Sequence, residues 1–231
     1  MGEKEPFDDL TETHAKCAEC LKKQELDASS TADRKDKVMR KIVVTMFLSL
    51  DGVMEGPGWQ GKYWNDELAK FKYDELFASD ALLIDHETYE ECASSWPTKK
   101  HAQAITRAFS SLSKPSGFSE RMNSLPKYVV SNTLKDAAWN NSKVIDKNVE
   151  EALSKLKTKQ GKDILVVDSG RLVQPLMRGN FVDEFNLIVY PSILGKGKRL
   201  FKAGTAAKSL KLLTATPLKS GVVALKYKVE K

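Results

Sequence analysis

Cysteine is scarce in this chain: Cys17, Cys20 and Cys92 are the three in 231 residues. They are too few and too unevenly placed for the disulfide framework of a small secreted protein, so the fold has to rest on an apolar core. His14, Cys17 and Cys20 stand at helical spacing. A structural zinc site takes four ligands, and no further Cys or His lies nearby, so no metal centre is expected and a solvated helix is the simpler reading. The zinc-deaminase signature, His-x-Glu followed by Pro-Cys-x-x-Cys, is missing. No apolar run approaches the roughly 18 residues of a membrane helix, and no basic-then-apolar leader opens the chain. A soluble, cytoplasmic protein without a membrane partner is expected. A basic stripe interleaved with aromatics is also missing. Lys196, Lys198, Arg199 and Lys202 form only a short, glycine-punctuated group, so no nucleic-acid partner is expected.

What is present is an ordinary globular composition, 41% hydrophobic and 29% charged, with a net charge of +6. The charge is unevenly shared. Residues 1–38 sum to −3 and the remainder to +9. Residues 1–38 read as an acidic extension, with a helix over Leu10–Leu26 and a polar linker from Ala28 to Asp33. Residues 39–231 read as one domain, basic enough to suit an anionic ligand, although solubility alone also explains the charge.

Within that domain, Lys41–Ser49 is too apolar for a one-sided strand and reads as a central one. A glycine-rich loop follows, then a helix over Asn65–Phe77, with Leu68, Phe71, Leu76 and the stems of Lys72 and Glu75 at three-to-four-residue spacing. Further strands are expected at Ala81–Ile84, Lys127–Ser131, Asp163–Val167 and Glu184–Pro191, with helices at Thr88–Ser95, Ala102–Leu112, Val149–Lys157 and Arg171–Arg178. Lys99–Met122 is otherwise polar. Leu210–Ala215 and Val222–Val229 read as a closing hairpin. Strands alternating with helices predict an α/β fold with a mostly parallel mixed sheet covered on both faces.

Several motifs then converge. Ser49-Leu50-Asp51-Gly52-Val53-Met54-Glu55-Gly56 follows the first strand. Glu87-Thr88-Tyr89-Glu90 opens a helix after the second. Later come Ile164–Val167 with Ser169-Gly170, then Val182-Asp183-Glu184, and finally Leu194-Gly195-x-Gly197-x-x-Leu200-Phe201. In order and spacing, residues 39–230 resemble the dihydrofolate-reductase-like superfamily, in the branch holding the reductase domain of bifunctional riboflavin-biosynthesis proteins. The resemblance implies a three-layer fold around about eight strands. It implies hydride transfer from NADPH to a pterin-like or ribosylaminopyrimidine-like ring, a small heteroaromatic substrate, and a homodimer. It assigns Asp51 to Trp59 to the loop that closes over nicotinamide. Glu67, with Asp51 as a second candidate, becomes the carboxylate near the substrate ring, where a proton must be delivered. Trp59 and Phe71 become ring contacts. The cofactor falls to Asp85, His86, Thr88, Asp168, Ser169, Gly170 and Arg171. Glu67 reads equally as an exposed helix glutamate, and His86 as a solvent-facing helix-start residue.

Two cofactor motifs depart from the family pattern. Gly-Arg-x-Thr-Tyr is replaced by Asp85-His86-Glu87-Thr88-Tyr89, and Gly-Ser-Gly by Asp168-Ser169-Gly170. A guanidinium is the group that clamps a 2′-phosphate, and an aspartate near a helix N-terminus, as Asp85 and Asp168 are placed, can cap the helix itself and so take the place of an anion. One reading retains an NADPH-dependent reductase, with His86 standing in for the arginine. The other is a family member whose NADPH site is lost or altered, acting as a binding or scaffold protein or in cofactor-independent chemistry.

Overall fold

The computed structural model describes residues 39–54, 58–95 and 117–231. The chain divides after Val38 into two units, and every described residue lies in the second. The expected helices over Leu10–Leu26 and Ala102–Leu112, with His14, Cys17 and Cys20, lie outside the described residues.

Eight strands form one sheet: β1 (Ile42–Ser49), β2 (Ser79–Asp85), β3 (Lys127–Val130), β4 (Ser142–Ile145), β5 (Asp163–Val167), β6 (Glu184–Tyr190), β7 (Leu210–Pro217) and β8 (Val223–Val229). Their order is β4-β3-β2-β5-β1-β6-β8-β7. The first six run parallel, while β8 and β7 close the sheet antiparallel. β1 is buried along nearly its whole length because it lies between β5 and β6 with helices on both faces. The order gives the α/β three-layer arrangement expected from the alternating pattern.

Among the described residues, five α-helices accompany the sheet: α1 (Asp66–Ala78), α2 (His86–Ser95), α3 (Phe118–Ser124), α4 (Val149–Thr158) and α5 (Gly170–Arg178). Side chains from α1, α2 and α3 pack with Val43, Leu82, Ile84 and Leu165 on one face. Those from α4 and α5 pack with Ile42, Val44, Leu83 and Val166 on the other. The alternation of Val43 with Val44 and Leu82 with Leu83 is the period-two pattern of a strand feeding two cores.

Two elements escaped the sequence reading. α3 lies in the stretch read as polar, yet Phe118, Met122 and Leu125 are buried at four- and three-residue spacing. β4 is a four-residue edge strand with half its residues polar, too short to register as a periodic pattern.

α1 begins where Asn65 accepts the Leu68 amide at 2.9 Å. Its inner stripe is unusual. Leu68, Ala69 and Leu76 are buried as expected, but so are Lys72 and Glu75. At the opposite end of the sheet, Asp183 accepts the Ile42 amide at 2.8 Å and is gripped by Lys157 and Lys231. That clasp holds the chain entry to β1 away from the strand carboxyl ends.

Candidate functional site

Parallel strands end together, and the loops leaving them enclose the space above the sheet edge. Here β1, β2 and β5 deliver Ser49, Asp85 and Val167 to one edge. A cleft of about 420 Å³ opens there. Asp85, Glu87, Thr88 and Glu91 line one side and Asp168, Gly170 and Arg171 another, while Met46, Phe47, Met54, Gln60 and Lys198 complete it. The structure therefore brings together five of the residues assigned to the cofactor: Asp85, Thr88, Asp168, Gly170 and Arg171.

Asp85 is buried, and its Oδ1 accepts the Thr88 amide at 2.8 Å, capping α2. Its own amide donates to Ser169 Oγ at 3.0 Å, and Thr88 Oγ1 donates to the Asp168 carbonyl at 3.3 Å. The two departing motifs are thus stitched to each other. Asp168 differs from the sequence expectation, since it does not cap α5. Its φ is +45°, a left-handed conformation that costs a non-glycine residue energy. Ser169 takes the N-cap position without a side-chain cap bond.

Asp168 is exposed at the cleft surface, yet the concave protein surroundings raise its carboxyl to about 6. Desolvation dominates, the Lys72 charge opposes it, and Glu75 and Glu91 add to it. A carboxyl that is harder to ionise when folded stabilises the fold only while protonated. The contribution is complete below the usual value of 3.8 and is lost as pH rises through about 6. Asp168→Asn is expected to gain stability over the parent between pH 4 and 7, with no difference at the acid end. Urea denaturation across that range measures it, and a gap that is constant with pH would contradict the assignment.

His86 lies outside the cleft lining. Its Nδ1 pairs with Thr133 Oγ1 at 3.0 Å and its Nε2 with Glu90 at 3.1 Å, on the outer side of α2. Arg171 pairs with Glu87 at 2.9 Å. Four carboxylates face two cations, and one of those cations is already engaged by Glu87. Gly170 is also covered, because a methyl group built there would stand 2.3 Å from Cε of Met54.

Asp51 is held in the loop rather than in the cleft. It accepts Ser49 Oγ at 2.7 Å and the Leu194 and Gly195 amides at 3.1 and 3.0 Å. Arg199 reaches both its carbonyl and its carboxylate. The Ser49 bond and then the Leu194 amide hold its carboxyl down to about 2. This latch fastens residues 49–54 to residues 192–200, with Leu50 donating to Ser192 and Met54 to Lys198.

Glu67 also lies away from the cleft lining. Its Oε2 accepts the Lys219 amide at 2.7 Å and so clasps the β7–β8 turn. Trp59 packs edge-on against the buried Tyr190, with ring centroids 5.1 Å apart, and Phe71 takes the Lys226 ammonium over its face. Both belong to the cluster of Leu68, Ile188, Tyr190, Leu218 and Val222.

A second cavity, of about 140 Å³, adjoins the cleft and shares Phe47 and Asp168 with it. Lys72 and Glu75 line it. The sequence reading counted only their stems as packing; the signal was their i, i+3 spacing on the buried stripe of α1.

Residues 40–224 match the family described as the RibD C-terminal domain. A relative in Bacillus subtilis (strain 168), named as the uncharacterized protein YyaP, is 26% identical over 188 residues, covering 81% of this chain and 94% of its own. Among solved structures, a putative riboflavin biosynthesis protein from Shewanella sp. PV-4 superposes with a TM-score of 0.56 at 16% identity, covering 83% of this chain and all of its own. A pyrimidine reductase-like protein from Corynebacterium diphtheriae superposes at 0.57 and 16% identity, covering 83% of this chain and 92% of its own. A diaminohydroxyphosphoribosylaminopyrimidine deaminase/5-amino-6-(5-phosphoribosylamino)uracil reductase from Thermotoga maritima gives 0.57 at 14% identity, covering 84% of this chain and 58% of its own. At these identities the structures speak for the fold.

Proposed function

This chain belongs to the family of the RibD C-terminal domain, and on that premise we propose that it binds a flat, uncharged heteroaromatic molecule at the carboxyl edge of its sheet, with the phosphorylated-nucleotide site altered. The observation that carries this reading is the charge of the cleft. Asp85, Glu87, Glu91 and Asp168 line it with carboxylates, and Glu87 already holds Arg171. A phosphate brought to this edge meets repulsion where the family pattern has glycine and arginine. An uncharged ring meets Met46, Phe47 and Met54 and pays no such penalty.

The reductase reading has one observation in its favour. The N-terminus of α5 keeps Ser169, Gly170 and Arg171 in family order beside Thr88, and a helix N-terminus attracts anions. If that attraction prevails, NADPH binds and the domain is a reductase of the family kind. Thermal-shift measurements separate the two. Lumazine, a flat uncharged bicyclic ring, is expected to raise the melting temperature at millimolar concentration, whereas NADPH and NADH at the same concentration leave it unchanged. A shift with NADPH larger than with lumazine would reverse the order of the two readings.

A further inference from the structure

Lys127, the first residue of β3, is 0% exposed. It pairs in register with Leu82 and shares a sheet face with Val129, both of them core residues. An apolar side chain would satisfy that pattern, and a lone buried ammonium is costly. Lys72, also buried, offsets that cost by pairing with Glu75 at 2.5 Å. Among the described residues, no carboxylate pairs with Lys127. Burial pushes its ammonium down to about 8, which leaves it charged at neutral pH.

Backbone holds it instead. Lys127 Nζ donates to the carbonyls of Asn123, Leu125 and Asn140 at 2.9, 2.8 and 2.9 Å, so all three N–H groups are used. The ammonium also lies 4.4 Å from the centroid of the Trp139 ring. Asn123 and Leu125 stand at the end of α3, where a helix leaves carbonyls without partners. The chain there runs directly into Leu125-Pro126, with no glycine to form a C-terminal cap. Lys127 supplies the donors that such a cap would. Trp139 ties the same point to α2: its backbone amide donates to Tyr89 Oη at 3.0 Å and its indole Nε1 to Asn123 Oδ1 at 2.7 Å. α3 carries Phe118 and Met122 of the smaller cavity, and α2 carries Glu87, Thr88 and Glu91 of the cleft.

We propose that these three carbonyls and the Trp139 face form a cation cage, filled by the chain's own ammonium, and that the charge in the cage holds α3 and α2 in place. Lys127 is then a positioning residue. It lines neither cavity and acts through the two helices that wall them. A neutral side chain of the same length would fill the space and leave three buried carbonyls without a donor, a loss that stem packing does not make good. A primary ammonium suits the cage because its three N–H groups match three acceptors.

The test uses two variants of the full chain. Lys127→Met keeps the stem and removes the charge and the donors. It is expected to melt about 10 °C below the parent. Lys127→Ala leaves a space the size of n-propylammonium. That cation is expected to raise the melting temperature of the alanine variant by several degrees and to return the amide NMR shifts of its α2 and α3 residues toward parental values. The parent and the methionine variant, whose cages are filled, are expected not to respond. 1-Propanol, equal in size and neutral, is expected to rescue nothing. A methionine variant as stable as the parent would overturn the cage, and so would an alanine variant that responds alike to the amine and the alcohol. Recovery of the melting temperature without return of the α2 and α3 shifts would overturn the positioning role. If the alanine variant does not fold, the methionine variant decides alone.

Discussion

Restoring the family pattern, with Asp85→Gly, His86→Arg and Asp168→Gly together, is expected to raise NADPH affinity by about a hundredfold and NADH affinity by much less. The difference is the 2′-phosphate. A guanidinium bound to it contributes about 1.5–3 kcal/mol, and two carboxylates that repel it are gone. The fold tolerates the changes. Asp85 caps α2 through the Thr88 amide, and replacing such a cap by glycine costs only a few tenths of a kcal/mol. Asp168 sits at φ +45°, where glycine is relieved of the strain an aspartate carries. Direct titration of parent and triple variant with both nucleotides measures the effect. An equal gain for NADPH and NADH would place the effect on the pyrophosphate that both carry rather than on the 2′-phosphate, and no gain for either would make Met54 over Gly170 the next residue to change.

The second large effect concerns the buried pair. Lys72→Met alone leaves the Glu75 carboxylate buried with Asn186 as its remaining partner and is expected to cost about 3–5 kcal/mol. Lys72→Met/Glu75→Gln removes both charges, keeps the Asn186 hydrogen bond, and is expected to recover most of that loss. Urea denaturation of the three proteins reads it. If the double variant is as unstable as the single one, the pair is a structural keystone of α1.

The fold was legible because its signals are local. Apolar runs such as Ile42–Ser49 and Asp163–Val167 are long and rich in Val and Ile, and buried parallel strands need little else. The motif order supplied the superfamily, and the family match over residues 40–224 agrees with it. The Asp85 cap was legible too, since an aspartate three residues before a threonine at a helix start has a defined hydrogen bond to make.

The site was only partly legible, for reasons of orientation. Glu67 and Glu75 lie on one helix, and which of them faces the sheet depends on how α1 is rotated. Leu68, Ala69 and Leu76 set that rotation and carry Glu75 inward, while Glu67 is left to clasp the Lys219 amide. Asp51 follows the same logic. Its carboxylate is satisfied by amides some 140 residues along the chain, at Leu194 and Gly195, a pairing no local pattern announces. The left-handed turn at Asp168 is equally silent, because aspartate enters that region without a marker such as glycine.

The most direct measurement is calorimetric titration of the unmodified protein with NADPH at low ionic strength, where an anion site would be strongest. A cleft walled by Asp85, Glu87, Glu91 and Asp168 predicts no saturable heat up to millimolar nucleotide. Saturable binding in the micromolar range would contradict it, and would mean that the N-terminus of α5 and Arg171 outweigh four carboxylates.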